Sequence, residues 1–190
     1  NVKRFLLAIV SMGRFGGGST ITQQLAKNAF LTQEQTVTRK AKEFFLSLEL
    51  TKKYSKQEIL TMYLNNAYFG NGVWGVEDAS QKYFGTSAAN LTVDEAATLA
   101  GMLKGPEIYN PIDNIQNATN RRNTVLANMV DDKKLSQADA DSAAGVDMAS
   151  RLDDTYQGTG DDYKYPSYFD AVIEEATKTY GLSEDEIVKN

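Results

Sequence analysis

Gly16-Gly17-Gly18-Ser19-Thr20-Ile21-Thr22-Gln23-Gln24 is the stretch from which the rest of the chain is read. Three glycines let the backbone approach a ligand closely and take φ > 0. Ser19 and Thr20 follow at once, and Thr20-x-x-Gln23 has the form of a capping box that opens a helix. A glycine turn running into a helix N-terminus is an anion site, because unpaired N–H groups and the helix dipole both face the ligand. Lys27 falls two turns further on. The stretch therefore reads as a cradle for a phosphate or pyrophosphate. The plainer reading, a flexible loop ahead of an ordinary capped helix, stays open on these residues alone.

Composition narrows the chemistry. The chain has 190 residues, 42% of them hydrophobic, enough for one domain with a real core. Its net charge of −5 argues against nucleic acid as a partner. That charge is uneven. Lysines and arginines at 3, 4, 14, 27, 39, 40, 42, 52, 53 and 56 crowd the N-terminal third, whereas Asp131-Asp132, Asp153-Asp154, Asp161-Asp162 and Glu184-Asp185-Glu186 load the remainder with acid. A local basic region in an acidic chain suits an anionic ligand held in one place. With no Cys and no His, thiol nucleophiles, Ser-His-Asp machinery and the common zinc sites are excluded. Acid–base work would fall to carboxylates, Lys or Tyr. No apolar run reaches the 18 or so residues of a membrane span.

The texture is helical, with Pro only at 106, 111 and 166. Phe5, Leu6, Ile9 and Val10 predict a short helix ending at Gly13, and a second runs from about Thr20 to Ala29. Thr38 is the expected cap of a third, Arg39 to Lys53, with Phe44, Phe45 and Leu48 on its apolar stripe. Ser55-x-x-Glu58 caps a fourth through Asn66, with Ile59, Leu60, Met62 and Leu64 as core. Gly70, Gly72 and Gly75 mark a long turn before a helix near Glu77–Tyr83 that stops at Gly85. Thr92-x-x-Glu95 caps another, ending at Lys104-Gly105-Pro106; Asn117–Val130 and a shorter helix after Ser136 follow. Residues 151–165 read as a polar linker, and 166–180 as one more helix closed by Gly181. The expected class is mainly α.

Several residues are candidates for chemistry. Arg39 and Glu43 lie one turn apart, with Lys40 between them. They form either an ordinary surface pair worth a few tenths of a kcal/mol or a carboxylate kept ionised by two cations beside a ligand. Asn65 and Tyr68, after the fourth helix, could reach sugar or phosphate oxygens, although Asn at a helix end is also a common cap. In R-R-x-x-V-L-x-x-M (121–129), Val125, Leu126 and Met129 face inward; either arginine pairs with an acid such as Asp113 or holds the fold beneath the site.

Taken in order, G-G-S-T-I-T-Q-Q (17–24), R-K-x-x-E (39–43), K-x-x-I-L-x-x-Y-L-N (56–65) and R-x-x-x-V-L (121–126) resemble the second to fifth signatures of the family 51 peptidoglycan glycosyltransferases. These are the transglycosylase domains of class A penicillin-binding proteins, here of streptococcal flavour. Ala67-Tyr68-Phe69-Gly70, Tyr83-Phe84-Gly85 and Lys104-Gly105-Pro106-Glu107-Ile108-Tyr109-Asn110-Pro111 add to the likeness, which covers nearly residues 4–150.

The resemblance implies a lysozyme-like α lobe with a membrane-proximal jaw, truncated here. It implies a glycosyltransferase domain over 1–150 and, over 151–190, a connection toward a transpeptidase domain. Its members polymerise lipid II at the outer face of the cytoplasmic membrane, with inversion, and release undecaprenyl pyrophosphate. Carried over by position, Gly18, Ser19, Thr20, Lys27, Arg39 and Lys40 would surround the donor pyrophosphate. Gln23 and Gln24 would support the site, Asn65 and Tyr68 would line the cleft, and Glu43 would assist the leaving group. No cofactor is called for beyond a divalent cation (Mg or Mn) beside the pyrophosphate. The implied partners are lipid II, the growing strand, moenomycin-type inhibitors and the membrane surface, with self-association through residues 2–15. Two departures stand out. The family's first signature, E-D-x-x-F-x-x-H-x-G, supplies the general base and is absent, so this stretch alone is expected not to polymerise lipid II. Gln35 stands where many relatives carry Arg. A non-catalytic helical module binding a pyrophosphate or glycan is the alternative.

Overall fold

The structure, a computed structural model, describes residues 21–30 and 37–153; for 28–30 and 37–43 it describes the backbone alone. The Phe5–Val10 helix, the glycine turn with Gly18, Ser19 and Thr20, Gln35 and the tail helix lie outside the described residues. Helix α1 spans Ile21–Phe30, α2 Val37–Lys53, α3 Lys56–Asn66, α4 Val76–Phe84, α5 Val93–Met102, α6 Ile115–Asp131 and α7 Gln137–Ala144, with 3-10 turns at Ala88–Asn90 and Met148–Arg151. Among the described residues the class is mainly helical; strand-like pairing is confined to isolated bridges, Tyr68 with Trp74 and Phe84 with Asp153. No described helix is long and apolar enough to cross a membrane.

Local chemistry sets several helix ends. The Ser55 side chain accepts from the Glu58 N–H while Glu58 reaches back to the Ser55 N–H at 2.8 Å, closing the capping box of α3. The Ser55 hydroxyl, donating to Glu58 Oε2 at 2.7 Å, and the Ser55 N–H together hold the Glu58 carboxyl below its ordinary pKa. Glu95 accepts from the Thr92 N–H at 2.9 Å at the start of α5, and Ser136 caps α7 by accepting from the Asp139 N–H. Gly85 ends α4 in the left-handed region at φ 61. The expected ends shift slightly elsewhere. Thr38 lies inside α2 rather than capping it, α5 stops at Met102, and α6 starts at Ile115.

Helix α5 is the centre. Every residue from Asp94 to Met102 is buried, and the small apolar run from Ala96 to Met102, broken only by Thr98, lets the helix sit inside. It packs on α6, and the approach is close: a Cβ at Gly101 would meet Arg121 Cγ at 2.8 Å. Asp94, buried at its N-terminus, accepts from Arg151 Nε at 2.9 Å. On the other side α1 packs against both α2 and α3, with Leu25 and Ala26 buried. Ile59, Leu60, Tyr63 and Leu64 of α3 enter the core, while Met62 is partly buried against it.

One packing expectation is corrected, and one left open is decided. Phe44, Phe45 and Leu48 do not form a buried stripe; they are 49%, 65% and 41% exposed. α2 turns a different face inward, that of buried Ser47 and half-buried Leu50, and Tyr54 just past its end packs on the core as well. Nor does Asp113 pair with Arg122. Asp113 accepts from Asn110 Nδ2 at 3.0 Å, and Arg122 is spent on main-chain carbonyls of the α7 end.

Candidate active site

The predicted site residues fall on three neighbouring elements. Gln23, Gln24 and Lys27 are on α1; Arg39, Lys40 and Glu43 lie in the first two turns of α2; Asn65 ends α3 and Tyr68 follows it. Because α1 packs on both other helices, the helix carrying Lys27 and the helix carrying R-K-x-x-E are in contact. The side chains of Arg39, Lys40 and Glu43, and all of Gly18, Ser19 and Thr20, lie outside the described residues.

Lys27 is exposed and has no ion pair or hydrogen bond among the described residues. A solvated ammonium on the outer side of a helix whose Leu25 and Ala26 anchor it is a cation free to meet an anion. Gln24 is tied down: its Oε1 accepts from the Tyr63 hydroxyl at 3.2 Å, joining α1 to α3 across 39 residues. Tyr63, unlike Gln24, was not singled out from sequence. Its position in K-x-x-I-L-x-x-Y-L-N is the signal that could have found it, since every third or fourth residue there is apolar and inward.

Burial pushes the Tyr63 phenol up to about 12. The folded value lies above the ordinary value near 10. The stabilisation of the neutral phenol is therefore complete below pH ~10 and lost as pH rises toward ~12. We expect urea unfolding to show about 2 kcal/mol less stability at pH 12 than at pH 10 from this group. Tyr63→Phe should lack that component; an identical pH slope in the variant would remove Tyr63 as its source.

Asn65 is half-buried, and its carbonyl backs the turn: a Cβ at Gly75, at φ 85, would meet Asn65 O at 2.8 Å, so only glycine fits there. The three secondary stretches meet at this turn. Tyr83 Oη donates to Phe69 O at 2.8 Å, and a Cβ at Gly70 would meet Pro106 O at 3.2 Å and Asn110 Nδ2 at 3.5 Å. Tyr68 Oη donates to Glu107 Oε1 at 2.7 Å and accepts from the Gly72 N–H at 3.2 Å. The Gly72 bond pulls the Tyr68 phenol down, yet the bond to Glu107, burial and the Glu107 charge outweigh it, and its pKa is raised. Glu107, another residue missed from sequence, sits in the Pro106-to-Pro111 segment, and the local pattern gave no sign that it meets Tyr68.

A cleft of about 530 Å³ opens elsewhere, between Thr92–Asp94, Met129, the Lys134–Ser136 turn, α7 and Arg151; none of the predicted site residues lines it. Among the described residues, no group of three or more His, Cys, Asp or Glu is placed to hold a metal ion.

The family model described as Transglycosylase matches residues 1–130. The chain belongs to the transglycosylase family. Penicillin-binding protein 2a of Streptococcus pneumoniae is 67% identical over 190 residues, all of this chain and 26% of that protein. Penicillin-binding protein 1F of Bacillus subtilis is 40% identical over 95% of the chain and 25% of that protein. A crystal structure of penicillin-binding protein 1A from Haemophilus influenzae covers 86% of the chain and 21% of its own, at 29% identity and a TM-score of 0.45. The transglycosylase chain thus spans about a quarter of the length of these curated relatives. The streptococcal relative bears out the streptococcal flavour of its signatures.

Proposed function

We propose that this transglycosylase chain carries the part of a peptidoglycan glycosyltransferase that grips the lipid-linked diphosphate. The whole protein would polymerise lipid II into glycan strands at the outer face of the cytoplasmic membrane, with inversion and release of undecaprenyl pyrophosphate. The packing of α1 on α2 carries the reading, because it makes the Lys27 helix and the R-K-x-x-E helix neighbours.

In this reading Lys27, Arg39 and Lys40 neutralise the charge that grows on the diphosphate as the glycosidic bond breaks, a purely electrostatic contribution. Glu43, kept ionised among cations, assists the departing group. Gln24, fixed by Tyr63, holds α1 in register beneath it. These cations suffice in this reading without a resident metal; a divalent ion beside the diphosphate would add to the same charge. The chain lacks the E-D-x-x-F signature that supplies the family's general base.

Lipid II polymerisation by the full-length protein tests the reading. Glu43→Gln should lower the rate by about a hundredfold or more, the range expected for a positioned group acting in the transition state. A variant that retains wild-type rate would remove Glu43 from the chemistry. A full-length wild-type protein that makes no glycan would overturn the function.

A further inference from the structure

We propose that Trp74 is a stacking platform for a pyranose ring of the glycan strand, backed by Tyr68 and flanked by the Glu107 carboxylate. The identity of the glycan rests on the glycosyltransferase reading; the platform itself rests on the geometry of residues 67–75.

Those residues double back on themselves. The Phe69 N–H donates to Val73 O at 2.9 Å, the Val73 N–H to Gly70 O at 2.9 Å and the Gly75 N–H to Ala67 O at 2.8 Å. Tyr68 and Trp74 face each other as an antiparallel bridge. In such a pair side chains alternate between faces. Phe69 and Val73 take the inner face, at 0% and 9% exposure, so the register sends Tyr68 and Trp74 outward. The two outward rings pack against each other at a tilt, with centroids 4.9 Å apart and planes at 44°. Trp74 nevertheless stays 54% exposed. Its indole N–H donates no hydrogen bond among the described residues. An exposed indole on a fixed turn adds nothing to the core, and rings with one apolar face and a polar edge are typical of binding surfaces.

The turn is rigid. Gly70, Asn71, Gly72 and Gly75 all take positive φ. The Tyr68 phenol bridges the Gly72 N–H and Glu107, and Asn114 Nδ2 donates to Glu107 O at 3.3 Å, which fastens the segment that carries the acid. Little side-chain order remains to be lost on binding. Glu107 Oε2 accepts no hydrogen bond among the described residues. The surface thus combines an apolar ring face, one donor and one acceptor. A pyranose is the complement, with a C–H face for the indole and rim hydroxyls for the carboxylate and the N–H. The negative charge of Glu107 disfavours a phosphate, so the sugar portion of the substrate, not its diphosphate, belongs here.

Trp74 is the single Trp of the chain, so its fluorescence reports on this spot directly. The probe is a lipid-free oligomer of alternating N-acetylglucosamine and N-acetylmuramic acid added to the full chain. We expect a saturable shift in emission, with inorganic pyrophosphate giving none. Measured by calorimetry, Trp74→Ala should weaken oligomer binding about tenfold, the loss of one stacked ring. Trp74→Phe should lose less, and Glu107→Gln should weaken binding with Trp74 intact. Emission unmoved at saturating oligomer, or equal affinity in Trp74→Ala, would overturn the platform. A lipid-linked diphosphate, titrated separately, keeps the two ideas apart. Diphosphate binding without an oligomer response sinks the platform and leaves the glycosyltransferase reading standing. An oligomer response without diphosphate binding supports the platform and sinks that reading.

Discussion

Arg122→Ala is expected to destabilise the fold by about 3–5 kcal/mol, enough to unfold many domains of this size. Arg122 is 1% exposed, the largest fully buried residue among the described residues. Nη1 donates to Val146 O at 2.8 Å, Nη2 to Ala144 O at 2.7 Å and Nε to Asn123 Oδ1 at 3.1 Å. The guanidinium closes the C-terminal end of α7 onto α6, where a helix leaves its last carbonyls unpaired and its dipole favours a cation. Burial lowers the guanidinium pKa from its ordinary value, with Asp94 and Asp147 opposing that effect, so the buried charge is held by these contacts. Truncation leaves two carbonyls without donors and a void the size of the side chain. Arg122→Lys should rescue little, since one ammonium cannot reproduce the planar fork. Urea unfolding checks both variants. A midpoint within a few tenths of a molar of wild type for Arg122→Ala would contradict the clamp.

Lys27→Ala is expected to weaken binding of a lipid-linked diphosphate by about tenfold or more while leaving stability unchanged. Lys27 is exposed and unpartnered among the described residues, so its removal disturbs no packing. A charge-assisted contact to a phosphate is worth roughly 1.5–3 kcal/mol, more than any structural role an exposed lysine plays. The loss should shrink at high salt, because the contact is electrostatic and solvent-accessible. Calorimetric titration with a moenomycin-type phosphoglycolipid reads it, and the unfolding midpoint serves as the control. Unchanged affinity would place Lys27 outside the cradle.

What was legible in the sequence is what neighbours along the chain decide. Ser55 with Glu58, Thr92 with Glu95 and Ser136 with Asp139 fixed three helix starts, because cap and partner lie three residues apart. Gly85 fixed one end by the same local logic. Which face a helix turns inward was less visible. α2 offered Phe44, Phe45 and Leu48 as an apolar stripe, yet Ser47 and Leu50 turn inward, since packing answers to the neighbouring helices and not to hydrophobicity alone. Long-range polar partners were invisible. Tyr63 finds Gln24 and Tyr68 finds Glu107 across 39 residues each, and Arg122 finds carbonyls 22 and 24 residues away. No spacing rule encodes such pairs. For the site, sequence placed Gln24, Lys27, Asn65 and Tyr68 on elements that do adjoin, through α1, α2 and α3. It missed the residues that hold them there, Tyr63 and Glu107, because a second layer leaves no local signature.

In the proposed function, Lys27 and the Arg39–Glu43 helix act on one diphosphate. A double-mutant cycle of Lys27→Ala and Arg39→Ala, read as affinity for a moenomycin-type phosphoglycolipid, tests it most directly. Each single variant should lose about tenfold, and the double variant should depart from the sum by more than about 0.5 kcal/mol, as groups sharing one ligand do. Wild-type affinity in Arg39→Ala, or losses that simply add, would show that the two cations serve separate places.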